Sequence, residues 1–310
     1  MIKYSIIFPG QGSQSVGMLA DLAANFASVK TTFEQANDAL GFDLWKLVQT
    51  DQDALNQTKN TQPAMLAAGY ATYQILDNEA DLAPICLAGH SLGEYTALVA
   101  AGALDFADGI KLVRHRAELM QAAVASGVGA MAAILGLDDE VVTQVCADYS
   151  GAGIVEAANF NSSGQVVISG NAQAVEATCE ALKAAGAKRA LLLPVSVPSH
   201  CSLMADAASE FANALSDTKF MLGTVDVLHN FDAKKADDVE DMRVKLAAQL
   251  HNPVLWTGCV KELHKLGAEK LIEAGPGKVL TGLTRRIEKS LTANAASNMQ
   301  DIMAILEEIQ

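Results

Sequence analysis

Two hydrophobic periods alternate along the chain. Short apolar runs at residues 5–8 and 84–88 predict buried strands, and longer stretches with helical spacing follow them. The alternation continues through residue 124, which predicts a parallel sheet with helices packed against it. A helix is marked over 63–76, where Ala, Leu and Met dominate, Pro63 suits a first turn and Thr61 suits the N-cap. The rhythm then changes. Strands are predicted at 130–135, 154–158, 165–169 and 190–195, and helices at 138–149, capped by Asp138, and at 171–185; the polar residues 161–164 read as a turn. The order β-α-β-β-α-β is the ferredoxin-like split arrangement, of a size to be inserted into a larger sheet. Beyond 202 the first rhythm returns, with a strand at 269–273. The final helix is predicted from a capping-box pair, Ser297 and Gln300, and an apolar face of Met299, Ile302, Met303, Leu306 and Ile309. The fold class is α/β: a large subdomain with a parallel sheet from 1–126 and 198–310, and a ferredoxin-like small subdomain at 127–197.

Composition fits that picture. With 310 residues, 50% of them hydrophobic, the chain is long enough for one large core and a smaller satellite. Neither a linker nor an internal repeat divides it. The first apolar run is too short for a secretory signal and no run reaches the ~18 residues of a membrane span, so a soluble cytoplasmic protein is expected. Five cysteines, an odd number without C-x-x-C spacing, argue against a disulfide framework and a zinc site. The net charge of −14 disfavours nucleic acid as a partner, and any anionic ligand must be held locally.

Gly89-His90-Ser91-Leu92-Gly93 carries the chemistry. A serine between two glycines where a strand gives way to a helix is a nucleophile elbow: the sharp turn projects the hydroxyl above the sheet, and the helix N-terminus favours a developing oxyanion beside it. Of the six histidines, His200 is the candidate base, because it lies just past the last strand of the small subdomain, where the chain re-enters the large one. His90 points away from Ser91 on such a turn and is expected to pack or bond locally. A hydrolase triad would place an acid between the serine and the histidine, yet Asp148, Glu156 and Glu180 all fall in the small subdomain. Either the acid is hidden, or a main-chain carbonyl or an amide holds the imidazole.

Pro9-Gly10-Gln11-Gly12-Ser13-Gln14 fails as a dinucleotide fingerprint, because Ser15 stands where a third glycine is needed and Lys30 where an acid is needed. A bare turn beside the elbow suits an oxyanion donor instead, the N–H of Gln11 paired with that of Leu92. Arg114 and Arg116 share a helix and face different directions, so one of them at most reaches the serine, where its guanidinium would hold a substrate carboxylate.

Five segments in one order add to this reading: Phe8-Pro9-Gly10-Gln11-Gly12-Ser13-Gln14, Gln62-Pro63-Ala64, Gly89-His90-Ser91-Leu92-Gly93-Glu94-Tyr95, Val197-Pro198-Ser199-His200 and Glu273-Ala274-Gly275-Pro276-Gly277. Together they resemble the malonyl-CoA:acyl carrier protein transacylases of bacterial type II fatty acid synthesis, from residue 4 to about 290. The resemblance implies an α/β-hydrolase-like large subdomain with a ferredoxin-like insert. It implies Ser91 as nucleophile and His200 as base, with the main-chain carbonyl of Gln249 orienting the histidine. It also implies Arg116 as the malonyl carboxylate's partner, with Met120 one turn along, and Gln11 and Leu92 as oxyanion donors; Asn161 borders the cleft.

The chemistry so implied is ping-pong transfer of malonyl from malonyl-CoA to the phosphopantetheine thiol of acyl carrier protein, with no metal or redox cofactor, by a monomer. An acidic carrier protein would need a local basic patch on this acidic enzyme, and Lys188-Arg189, Lys278, and Arg285-Arg286 with Lys289 are the candidates. Three alternatives stay open: a serine esterase or thioesterase, an acyltransferase for another extender unit, and a non-catalytic binding protein on the same scaffold.

Overall fold

The computed structural model describes residues 2–125, 127–195 and 197–309. Nine strands are found among them: β1 (Tyr4–Phe8), β2 (Leu87–Gly89), β3 (Gly129–Leu135), β4 (Val155–Ser162), β5 (Gln165–Asn171), β6 (Arg189–Leu192), β7 (Val227–Leu228), β8 (Lys270–Ala274) and β9 (Thr292–Ala296). Five of them form a parallel sheet in the order β7-β2-β1-β8-β9. Every residue of β1 and β8 is buried, as expected for a parallel sheet covered on both faces, whose strands read as continuous runs rather than as alternation.

The other four form an antiparallel sheet in the order β4-β5-β3-β6, the ferredoxin-like arrangement. Its two faces differ. Ala132, Ile134, Val166 and Ile168 pack against the helices Asp139–Ala147 and Ala172–Ala184, whereas Met131 and Val167 turn to the opposite face with Leu193 and Val195, toward the large sheet. The strand period of two thus makes one face a core and the other a cleft wall.

Several local expectations are corrected. The helix expected at 63–76 is longer, Thr58–Ala80, with Gln57 at the N-cap; Thr61 lies inside and donates to the carbonyls of Leu55 and Gln57. Pro63 is therefore interior, and the carbonyl of Lys59, four residues back, loses its helical donor and accepts from Arg114 Nη1 at 3.2 Å instead. Asn161 and Ser162 belong to β4, leaving only Ser163 and Gly164 in the turn. Asp138 holds the N-cap position of its helix without a side-chain capping bond. The last helix, Met299–Ile309, is capped one residue later than expected, Asn298 Oδ1 accepting from Asp301 N; Ile305 is buried on its apolar face and Met303 is exposed. The first subdomain boundary expected, at residue 126, falls outside the described residues. No helix among the described residues is long and apolar enough to cross a membrane.

Candidate active site

The elbow sits at the C-terminal end of β2, next to the end of β1, with Phe8 and Gly89 in register. Its glycines are sterically required. A Cβ on Gly89 would lie 1.9 Å from the carbonyl of Gly93, and one on Gly93 would lie 2.1 Å from the Phe8 oxygen. Between them Ser91 has φ 51°, in the left-handed region that costs a non-glycine residue about 1–2 kcal/mol. Asn230 and Gln249 hold it there: Ser91 N donates to Asn230 Oδ1 at 2.6 Å, and Gln249 Nε2 donates to Ser91 O at 3.0 Å.

His200 arrives from the other side. Its own φ is 63°, its N–H donates to Leu250 O at 3.1 Å, and its Nδ1 lies 2.7 Å from Gln249 O. Gln249 ends the helix Val239–Gln249, where carbonyls lack intrahelical donors. A carbonyl only accepts, so the ring proton sits on Nδ1, and the bare Nε2 accepts from Ser91 Oγ at 2.7 Å. Among the described residues no acid bonds to the imidazole. Burial, and next the positive charge of Arg116, push the His200 pKa down to about 3, against the Gln249 carbonyl, which works to raise it. The ring is therefore a neutral acceptor at neutral pH. Glu156, on β4, instead accepts from Ser202 N and Oγ at 2.8 Å each and anchors the chain just past His200.

Of the two arginines on the helix Phe106–Ala123, Arg116 is the inward one, 1% exposed. Its Nη1 donates to Gln62 Oε1 and its Nη2 to Gln249 Oε1, both at 2.9 Å, with Nη2 also 3.4 Å from Ser91 Oγ. The guanidinium lies over the Tyr95 ring, and its Nε meets no partner among the described residues. Gln62 is held in turn against Met120 Sδ. Arg114 points to the surface and pairs with Glu118.

A cleft of about 230 Å³ opens over these groups. Ser91, His200, Arg116, Gln11, Leu92 and Asn161 line it, while Gln249 is fully buried behind it. The N–H groups of Gln11 and Leu92 have no hydrogen-bond partner among the described residues. His90 packs against the Trp256 ring as expected, and its Nε2 also reaches Asn161 Oδ1 at 2.8 Å, tying the elbow to the small sheet. Sequence reasoning gave no role to Gln62, Glu94, His229 or Asn230. Glu94, in the first turn of the elbow helix Gly93–Ala100, is the buried acid that a search between Ser91 and His200 should have met. It accepts from His229 and Asn230 rather than from the catalytic candidate.

A serine on a strand–helix elbow, a histidine poised on its hydroxyl and a cleft above them are an arrangement suited to acyl transfer. In agreement, the family model described as acyl transferase domain matches residues 5–305. The chain is 51% identical over 308 residues, 99% of its own length and 100% of the relative's, to the malonyl CoA-acyl carrier protein transacylase of Escherichia coli strain K12. It is 40% identical to the protein of that name from Bacillus subtilis strain 168, over 100% of this chain and 98% of that one. The chain belongs to the malonyl CoA-acyl carrier protein transacylase family. Among solved structures, an acyl carrier protein S-malonyltransferase from Vibrio cholerae superposes with a TM-score of 0.95 at 52% identity, covering 98% of this chain and 99% of that one. A malonyl-transacylase in complex with a type II PKS acyl-carrier protein gives 0.97 at 48%, covering 99% of both.

Proposed function

We propose that this protein transfers malonyl from malonyl-CoA to the phosphopantetheine thiol of acyl carrier protein through an ester on Ser91. The observation that carries this reading is the buried Arg116 guanidinium beside Ser91 Oγ, a fixed cation where the far carboxylate of a malonyl group would lie. In the first half, His200 Nε2 takes the Ser91 proton as Oγ attacks the thioester carbon. The Gln11 and Leu92 N–H groups receive the oxyanion, and the C–S bond breaks as His200 returns the proton to the coenzyme A sulfur. In the second half the carrier thiol gives its proton to His200 and attacks the ester. Ser91 leaves with that proton, and the cycle closes. None of these steps calls on a metal or redox group.

Acetyl-CoA would leave Arg116 buried without its carboxylate, which disfavours that substrate. The names of the relatives, and the carrier-protein complex among the similar structures, support this substrate and acceptor. We place the docking of the acidic carrier on the helix Val279–Ile287. Val279, Leu280 and Leu283 line the cleft, and Arg285 and Arg286, with Lys278 at the N-cap, are exposed on the same element. We read the enzyme as cytoplasmic and monomeric, with subdomain limits at 1–126 plus 198–310 and at 127–197. Incubation with malonyl-CoA followed by peptide mass spectrometry tests the mechanism: a malonyl adduct is expected on Ser91, and an adduct elsewhere or none sinks it.

A further inference from the structure

Behind the cleft, one fully buried carboxylate organises both halves of the site without touching the space a substrate would fill. Glu94 Oε1 accepts from His229 Nδ1 at 2.7 Å, and Oε2 accepts from Asn230 N and Gln249 Nε2 at 2.8 Å each. Three nitrogen donors converge on it, and a carboxylate, which only accepts, satisfies all three. Its place in the first turn of the elbow helix adds the favourable end of the helix dipole.

Two arms leave this anchor. Along the first, Asn230, held by its N–H, uses Oδ1 to accept from Ser91 N and Nδ2 to donate to Gly89 O at 2.7 Å, clamping the peptides on either side of His90. Along the second, the Gln249 amide stands between Glu94, an obligatory acceptor, and Arg116, an obligatory donor. The amide therefore fits only one way round, nitrogen to Glu94 and oxygen to Arg116 Nη2. The main-chain carbonyl of the same residue holds His200. Glu94 and Arg116 are thus opposite buried charges joined through a single amide.

We propose that Glu94 is a positioning residue for malonyl selection: through the Gln249 amide it fixes the Arg116 guanidinium toward the serine, and through Asn230 it fixes the elbow. The proposal rests on the malonyl-transfer reading above. In Glu94→Gln a neutral carboxamide of the same shape replaces the carboxylate: its N–H either meets Asn230 N and Gln249 Nε2, or faces His229, which must then move its ring proton to Nε2, and in both cases Gln249 loses its bond to a charged acceptor. The Gln249 amide is then free to turn its own N–H groups toward Arg116, which drives the guanidinium out of line.

The test uses the full-length enzyme and the ratio of kcat/KM for malonyl-CoA to that for acetyl-CoA. Glu94→Gln is expected to lower this ratio about tenfold or more, since hydrogen bonds to charged groups carry that order of discrimination. In an Arg116→Ala background, adding Glu94→Gln is expected to leave the ratio unchanged, because the arm then has nothing to orient. A general loosening of the fold would lower both substrates' rates together in either background. Should Glu94→Gln fail to fold, Gln249→Leu, which removes the amide and keeps the carbonyl on His200, must show the same loss of selectivity. An unchanged ratio in the folded variant overturns the proposal, as does a further fall in the Arg116→Ala background. The parent enzyme separates the two levels of inference. If it forms no malonyl ester on Ser91, the reading of the site fails; if it does and selectivity ignores Glu94, only the role of Glu94 fails.

Discussion

Ser91 and His200 meet at 2.7 Å from two strained backbones, both in the left-handed region with φ of 51° and 63°. Neither side chain favours that conformation, and each is held in it by bonds from residues far away in the chain. Relaxing either backbone would carry the hydroxyl and the imidazole apart.

The elbow glycines should therefore tolerate nothing larger. Gly93→Ala, whose Cβ would sit 2.1 Å from Phe8 O, is expected to cost about 2–3 kcal/mol or more and to abolish acylation. Thermal unfolding, with malonyl-ester formation measured alongside it, checks this; a variant of parental stability would contradict the packing described.

For His200 the sign of the pH dependence follows from a folded pKa of about 3 against the ordinary 6.5. Above 6.5 the ring is neutral in both states and contributes no slope. Between 6.5 and about 3 the unfolded chain takes up a proton that the folded chain refuses, so stability is lost as pH falls through that window. Chemical denaturation as a function of pH should show a shallower acid-side loss in His200→Asn than in the parent. The acid limb of kcat/KM for acylation is likewise expected below 6.5, since the free enzyme keeps its base neutral there.

Arg116→Lys should not rescue Arg116→Ala. An ammonium cannot span Gln62, Gln249 and a carboxylate together, whereas the guanidinium fork already spans the two amides. Both variants are expected to lose malonyl transfer by about a hundredfold or more, with acetyl transfer gaining in relative terms. Steady-state kinetics on the two thioesters decides; full malonyl activity in Arg116→Lys would remove the bidentate argument.

The five cysteines are all buried, and burial raises the thiol pKa of each, with Cys86 and Cys146 pushed up to about 12 and Cys201 to about 11. Thiol reagents should find none of them in the native protein at neutral pH and all five after denaturation. Rapid native labelling of Cys201, the neighbour of His200, would mean that the cleft opens further than its resting form.

Much of this was readable from the chain because its signals are local. The β-α-β-β-α-β order announces itself through period changes over a few residues, and the elbow through two glycines around a serine. Asn161 was placed at the cleft but assigned to a turn, since the polar run 161–164 looks the same whether its first half is loop or strand edge. The final cap slipped by one residue because Ser297 and Asn298 are equally good caps in sequence. What stayed hidden was nonlocal: Glu94 meets His229, Asn230 and Gln249 across 135 to 155 residues of chain. The Gln249 carbonyl that holds His200 came only with the family resemblance, since every residue carries a carbonyl and none marks itself in sequence.

The register of β1 against β2 has one more consequence. Gln11 follows the first strand and Leu92 the second, and Phe8 lies opposite Gly89, so the two amides proposed for the oxyanion rise from neighbouring strands at the same height. Their separation is governed by the spacing of hydrogen-bonded strands, about 4.8 Å, and by two tight turns. The identity of either side chain hardly enters. The donors proposed for the developing negative charge are therefore main-chain groups, which most substitutions at position 11 would leave in place. On the reading proposed above, selectivity falls instead to the side chains that hold Arg116.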